Sequence, residues 1–126
     1  MRVTDELRAR TKAYASAVIR LYAALPKARR EVQVLGHQLL RSGTSIAAHV
    51  REASRARSDG EFCSKLDVAL AEADESQLWL ELLRDDCDID TDAISTLHEE
   101  TNELIAIFVT MVSKTRRRGD DEIAKR

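Results

Sequence analysis

The stretch "LLRSGTSIAAHVREA", residues 39–53, decides how this chain folds. Its flanks have the apolar spacing of an amphipathic helix, but residues 42–45 are Ser, Gly, Thr and Ser, which are poor residues for a helix interior. Each costs from a few tenths to about 1 kcal/mol of helix propensity. Small residues let another helix approach closely, and hydroxyls can bond to carbonyls one turn earlier. We therefore expect a long helix that packs tightly against a neighbour at this point.

Heptad-like apolar spacing predicts four helices, at about residues 5–24, 31–57, 59–85 and 91–116. Pro26 ends the first helix, Ser58 and Glu61 form a capping box for the third, and Asp88 or Asp90 is available to cap the fourth. Long helices joined by short connections predict an all-α fold, an antiparallel up-and-down four-helix bundle over residues 1–118. We expect residues 119–126 to form a charged, flexible tail.

The composition places the chain among single-domain helical proteins. It has 126 residues, one proline and four glycines, and Ala, Leu, Glu and Arg dominate it. Cys63 and Cys87 would lie too far apart for a disulfide on one helix, so we expect free thiols. The sequence has neither a signal-peptide pattern nor an apolar run long enough to cross a membrane. We expect a cytoplasmic protein without membrane contact.

Charge is segregated along the chain although the net charge is only −2. Residues 1–30 carry eight Lys or Arg and two Asp or Glu, whereas residues 58–90 carry two and eleven. This segregation favours electrostatic matching between the two segments, within the chain or between subunits. The alternative is that these are solvated faces that happen to segregate.

Two helices have more apolar surface than one stripe requires. The first carries extra apolar residues beside its stripe, and residues 104–112 of the fourth, "LIAIFVTMV", are apolar nearly all round. We expect self-association, although a thick bundle core that uses both faces is the alternative. The candidate interface residues are Ile19, Tyr22, Ile105, Ile107, Val109 and Val112.

A polar seam runs along the second and third predicted helices. Arg41 lies on the second, and Glu72 and Glu75 lie one turn apart on the third. The planar guanidinium suits carboxylate pairing, so we expect Arg41 to meet Glu72 or Glu75 in a buried polar layer. Such a layer sets register and partner choice more than stability, and Arg41→Ala is expected to destabilise strongly by stranding a buried carboxylate.

Several motifs occur in one order between residues 22 and 83: "LPK" at 25–27, "LGHQLLRSGTSI" at 35–46, "REA" at 51–53, "SDGEF" at 58–62, "EADES" at 72–76 and "WLELL" at 79–83. In these motifs the chain resembles the bacterial four-helix bundle protein family, also called the 23S rRNA intervening-sequence protein family. The resemblance implies an up-and-down four-helix bundle that assembles as a ring-like homopentamer.

The resemblance also implies a family-type polar set. Its members here, with the substituted position included, are Gln38, Arg41, Ser42, Ser45, His49, Glu52, Glu72 and Glu75. His49 stands where the family usually has asparagine. An imidazole there would make the set sensitive to pH, or it would simply replace the amide as a hydrogen-bond partner or point to solvent.

The sequence contains none of the common catalytic motifs that we considered. It has no Glu-x-x-His pair, no zinc-ligand spacing, no phosphate-binding glycine loop and no nucleophile elbow. Glu72 and Glu75 could form an acid–base pair, but ion pairing with Arg41 accounts for the two carboxylates at least as well. We therefore expect no enzyme activity, no metal and no cofactor.

Two functions compete in this interpretation. The first is a ring-like scaffold or adaptor for another macromolecule, with an unknown protein partner. The alternative is an RNA-associated accessory protein that binds phosphates, since the family's relatives occur in insertions of ribosomal RNA genes. A third possibility is that the arginines bind nothing: they would then be solvated side chains whose positive charge complements the dipole at the carboxyl ends of helices. The candidate RNA-binding residues are Arg51, Arg55, Arg57, Arg116, Arg117 and Arg118.

Overall fold

The computed structural model describes residues 2–125, so Met1 and Arg126, which fall within the predicted bundle and tail, lie outside it. Residues 2–125 contain no strand and form four helices, α1 (Asp5–Ala24), α2 (Arg30–Ser54), α3 (Asp59–Asp85) and α4 (Asp92–Ala124). Each helix packs against two others, in the cyclic order α1, α2, α3, α4. Because short connections reverse the chain between helices, this is the predicted antiparallel up-and-down four-helix bundle, and the fold class is confirmed.

Hydroxyl caps begin three of the four helices, and α2, which follows Arg29, begins without a side-chain cap. Ser58 caps α3 as predicted, because its Oγ accepts a hydrogen bond from the backbone N–H three residues later at 3.1 Å. For α4 the prediction is wrong, since Thr91 and neither Asp88 nor Asp90 provides the cap. Asp88 instead adopts a left-handed backbone conformation, φ 57°, in the connection before Thr91.

Two helix ends differ from the predicted ones. α2 ends at Ser54 and not at Arg57, because the chain must reverse before Ser58 takes the extended conformation that caps α3. α4 continues through Gly119 to Ala124, so the predicted flexible tail is wrong over those residues. The physical reason is that Gly119 costs only about 1 kcal/mol in a helix interior and no proline follows it.

Glycines on α2 bring α1 close. A Cβ atom at Gly43 would stand 2.8 Å from Val18 Cγ2, and one at Gly36 would stand 2.6 Å from Leu25 Cδ1. Both distances are too short for real contacts, so Val18 of α1 and Leu25, which directly follows α1, occupy the space that a larger residue on α2 would need. This is the close helix contact that the opening stretch predicts.

Cys63 and Cys87 are free, as predicted, and both are buried. Burial raises the pKa of the Cys63 thiol above its ordinary value. Among residues 2–125, no helix is long and apolar enough to cross a membrane.

Candidate functional site

Arg41 joins α2 to α3 in the expected pairing. Its Nη1 lies 3.4 Å from Glu72 Oε2 and its Nη2 lies 3.1 Å from Glu75 Oε1, while its Nε donates to Gln38 Oε1 at 3.4 Å. The predicted burial is wrong for Arg41 and Glu75 in the single chain, because their side chains are 50% and 43% exposed, whereas Glu72 is only 15% exposed. Arg41 precedes the buried Ser42 and lies on the outer side of the α2–α3 contact. An exposed pair of this kind contributes at most about 1 kcal/mol.

Apart from the buried Ser42, the rest of the predicted polar set also lies at or near the surface. The Ser45 hydroxyl donates to the Arg41 carbonyl at 2.8 Å, which is the expected bond one turn back. His49 Nδ1 lies 3.3 Å from Glu52 Oε2, and Lys65 Nζ lies 3.1 Å from the same atom. Lys65, and to a smaller extent His49, lower the pKa of the Glu52 carboxyl below its usual value. The pH response of His49 stays a prediction.

A buried polar layer does exist, and it contains one hydroxyl from each helix. Ser42 Oγ on α2 lies 2.7 Å from Ser76 Oγ on α3, and Tyr14 on α1 bonds Thr101 Oγ1 on α4 at 2.7 Å. All four side chains are at most 2% exposed. Burial raises the pKa of Tyr14, although hydrogen bonding to Thr101 and Ser76 opposes this. We call these residues the four-hydroxyl layer.

Sequence reasoning assigned only Ser42 of this layer to the polar set. Tyr14, Ser76 and Thr101 lie at positions whose spacing fits the apolar stripes of their helices. The available signal was the presence of polar groups among the buried-face positions of each helix, two of them, Thr11 and Tyr14, on α1. Buried hydroxyls need partners, so such positions are expected to meet one another.

The contact between α1 and α4 is the weakest of the four, and it leaves an open groove. This α1–α4 groove has a volume of about 1060 Å³, and its lining is mostly apolar. On the α1 side it is bordered by Ala13, Ala17, Leu21 and Ala24. On the α4 side it is bordered by Leu97 and the more polar Thr96, Glu99, Glu100 and Glu103.

Arg10 bridges the groove by ion pairs to two α4 carboxylates, Glu100 and Glu103. Arg10 on α1 donates from Nε and Nη2 to the two carboxylate oxygens of Glu100 on α4, at 2.7 and 2.6 Å. Arg10 holds the pKa of the Glu100 carboxyl below its usual range, and the carboxylates raise that of the guanidinium. The groove continues from this bridge to Pro26 and the connection between α3 and α4.

The predicted interface residues fall into three groups. Ile19 and Val109 are 50% and 46% exposed and are free to contact another molecule. Val112 is only 5% exposed, so its assignment to an interface is wrong, because it fills the core of this chain. The remaining three are half-buried against that core: Tyr22, Ile105 and Ile107.

Residues 2–125 contain no group of three His, Cys, Asp or Glu side chains arranged to hold a metal ion. Glu72 and Glu75, the residues weighed for acid–base chemistry, both contact Arg41, and neither borders the α1–α4 groove. The α1–α4 groove, by contrast, has the shape of a binding site.

Comparison with known proteins agrees with this architecture. The family model described as 23S rRNA-intervening sequence protein matches residues 6–110, from the first turn of α1 into α4. The chain belongs to this family. A crystal structure of a protein of unknown function from the S23 ribosomal protein family of Bacteroides thetaiotaomicron VPI-5482 is 32% identical, with a TM-score of 0.76 over 83% of this chain and 96% of that one. Among curated proteins, none matches the chain.

The region matched to the 23S rRNA-intervening sequence protein family divides the six candidate RNA-binding arginines. Those on α4 lie beyond residue 110, and two of them pair with α3 carboxylates: Arg116 with Asp67 at 2.7 Å and Arg118 with Asp59 at 3.4 Å. These pairs place the end of α4 beside the start of α3, at the bundle end where α2 finishes. The other four are exposed and make no ion pair within residues 2–125: Arg51, Arg55, Arg57 and Arg117.

Proposed function

We propose that this member of the 23S rRNA-intervening sequence protein family is a non-catalytic bundle that forms a ring-like homo-oligomer and serves as a scaffold or adaptor for another macromolecule. The observation that carries the proposal is the α1–α4 groove, a mostly apolar surface left open over about 1060 Å³. Removing apolar surface from water stabilises by about 25 cal/mol per Å². A second copy seated in the groove would gain that free energy.

A ring requires two different surfaces on each subunit, because its contacts run head to tail. The groove is the first surface. The outer face of α3 suits the second, since Val68 and Leu78 are 39% and 47% exposed. The groove lining itself includes six carboxylates and two arginines, so the contact with α3 would rest on burying apolar surface and not on charge attraction.

The number of subunits, five, rests on the family resemblance alone. The groove and the α3 face support a head-to-tail contact, which is compatible with rings of several sizes. Measuring the mass in solution therefore tests both the contact and the number.

The proposal is tested by light scattering coupled to size-exclusion chromatography. We expect the parent protein to have a mass several times the 14.2 kDa of the chain at micromolar concentration. Ala13→Glu places a carboxylate on the exposed α1 wall of the groove and should shift the mass toward that of the single chain. Ala48→Glu adds the same charge on an exposed part of α2 outside the groove and should leave the mass unchanged. A parent protein of 14.2 kDa would overturn the proposal.

RNA binding is our second proposal, and it is supported by a different observation. The family's name refers to an intervening sequence of 23S rRNA. Arg51, Arg55 and Arg57 are exposed near the end of α2, within the matched region. No aromatic residue lies in this cluster, so binding would go through phosphates and weaken steeply with salt. Changing all three arginines to glutamine should lower the salt slope, and undetectable RNA binding by the parent at about 50 mM salt would refute this proposal.

A further inference from the structure

Three arginines surround a small hollow at the carboxyl end of α2. The hollow has a volume of about 280 Å³ and a mostly polar lining, and it lies between the start of α1 and the α2–α3 connection. We call it the arginine hollow. Its lining consists of Arg2, Val3, Arg8, Ala53, Ser54, Arg55 and Ala56, so it contains no carboxylate side chain.

The positive charge of the arginine hollow is not balanced within residues 2–125. No Asp or Glu oxygen of these residues lies within 4 Å of a guanidinium nitrogen of Arg2, Arg8 or Arg55. The carboxyl end of α2 attracts cations, but its dipole is equivalent to only about half an elementary charge. Three guanidinium groups therefore leave a large positive excess.

Arg8 adds an observation that points to a ligand. Its Nε is buried and has no hydrogen-bond acceptor among the described residues. A buried donor without a partner costs about 1–3 kcal/mol, more when it is charged. Because the Nε is covered, the Arg8 side chain would have to turn toward the hollow for an entering anion to remove this cost, and the anion would also neutralise the excess charge.

We propose that the arginine hollow binds a phosphate-sized oxyanion, either inorganic phosphate or the phosphate group of a small monoester. Guanidinium groups present paired N–H donors that match phosphate oxygens. The lining has no aromatic side chain on which a base would stack, so recognition is confined to the phosphate group. The inference is independent of self-association, because none of these arginines borders the α1–α4 groove.

The test is the melting temperature of the full chain titrated with sodium phosphate, against sodium chloride at equal ionic strength. A tenfold excess of phosphate over its Kd should raise Tm by about 5 °C, whereas chloride should not. Titrating glycerol phosphate in parallel separates the two sources of the ligand. A comparable shift shows that the hollow admits monoesters, and a smaller shift assigns it to inorganic phosphate.

Matched variants locate the site. Arg8→Gln and Arg55→Gln should each weaken phosphate binding by about tenfold or more. Arg57→Gln removes the same charge two residues beyond Arg55 but outside the lining, and should change binding by less than about twofold. Arg55 is exposed, so its variant remains informative if Arg8→Gln folds poorly. Equal shifts by phosphate and chloride, or equal losses in Arg55→Gln and Arg57→Gln, would overturn the proposal.

Discussion

α1 packs against two neighbouring helices, and small residues lie at both contacts. One contact is tightly packed, and the other leaves an open groove. Against α2, the space beside Gly43 is filled by Val18 of α1. Against α4, the alanines of α1 face polar or charged residues such as Thr96 and Glu99, and a groove of about 1060 Å³ stays open. Small side chains therefore close a helix contact only where the opposite helix supplies apolar bulk that fits. Where it supplies charge, they leave a surface for another molecule.

We expect the largest loss in the free energy of unfolding from a substitution in the four-hydroxyl layer, where α1 and α4 are in direct contact. Thr101 donates to the Leu97 carbonyl at 2.6 Å, so Tyr14 is the donor to Thr101. Thr101→Val keeps the shape but leaves the buried Tyr14 hydroxyl without this acceptor, which should lower the free energy of unfolding by about 1–3 kcal/mol. Denaturant unfolding measures the loss. Adding Tyr14→Phe should recover part of it, and a double variant less stable than Thr101→Val would contradict the assignment.

The closed α1–α2 contact is tested by Gly43→Ala. The new Cβ would meet both γ carbons and the Cβ of Val18, a short side chain that cannot swing away. Overpacking costs about 1–3 kcal/mol and alanine returns about 1 kcal/mol of helix propensity. We expect a net loss of up to about 2 kcal/mol in the free energy of unfolding.

Two other glycines are matched controls for Gly43. At Gly36 the nearest atom is the flexible end of Leu25, so Gly36→Ala should cost less. At Gly119 a Cβ meets nothing within 4 Å, so Gly119→Ala should stabilise by up to about 1 kcal/mol. If the three Gly→Ala variants change the free energy of unfolding equally, close packing against α1 is not the reason for glycine at position 43.

The bridge across the open groove predicts a pH dependence. Arg10 lowers the pKa of Glu100 from its usual value of 4.5, so its stabilisation is present above that value and is lost as pH falls through the folded-state pKa. Both side chains are about a third exposed or less, which limits the contribution to about 0.5–1 kcal/mol. Between about pH 5 and 3, the parent should lose that much more stability than Arg10→Gln. Parallel pH profiles of the two proteins would contradict this.

Arg41→Ala should have the smallest effect in the single chain. Because half of the Arg41 side chain is exposed, its loss should cost less than about 1 kcal/mol. This reverses the sequence-based expectation of strong destabilisation. Thermal unfolding at low protein concentration, where subunits separate, provides the measurement. A loss of several kcal/mol there would show that the carboxylates depend on Arg41 within one chain.

Much of the bundle follows from one-dimensional signals. Apolar spacing gives the bounds of α1 and α3, and Ser58 marks the start of α3 because an N-cap acts within one turn. The end of α2 was missed by three residues, since it depends on how much chain the reversal before Ser58 requires. The helix beyond Gly119 was missed because charged composition resembles a tail.

The site was harder to predict because it depends on how the helices are rotated about their axes. Arg41 and its carboxylate partners follow from residue type and spacing, but their exposure depends on which side of the α2–α3 contact they occupy. Ser76 and Thr101 fit the apolar stripes equally well as isolated positions. Only the assembled bundle brings their hydroxyls into one layer with Tyr14.

The most direct test of the central claim is thiol labelling in the native assembly. Ala13→Cys places a thiol on the α1 wall of the groove, and Ala48→Cys places one on an exposed part of α2 outside it. The native cysteines are buried and should react slowly in both variants. If a second copy covers the groove, Ala13→Cys should label much more slowly than Ala48→Cys and should match it on dilution to the single chain. Equally fast labelling at high protein concentration would show that the groove is uncovered.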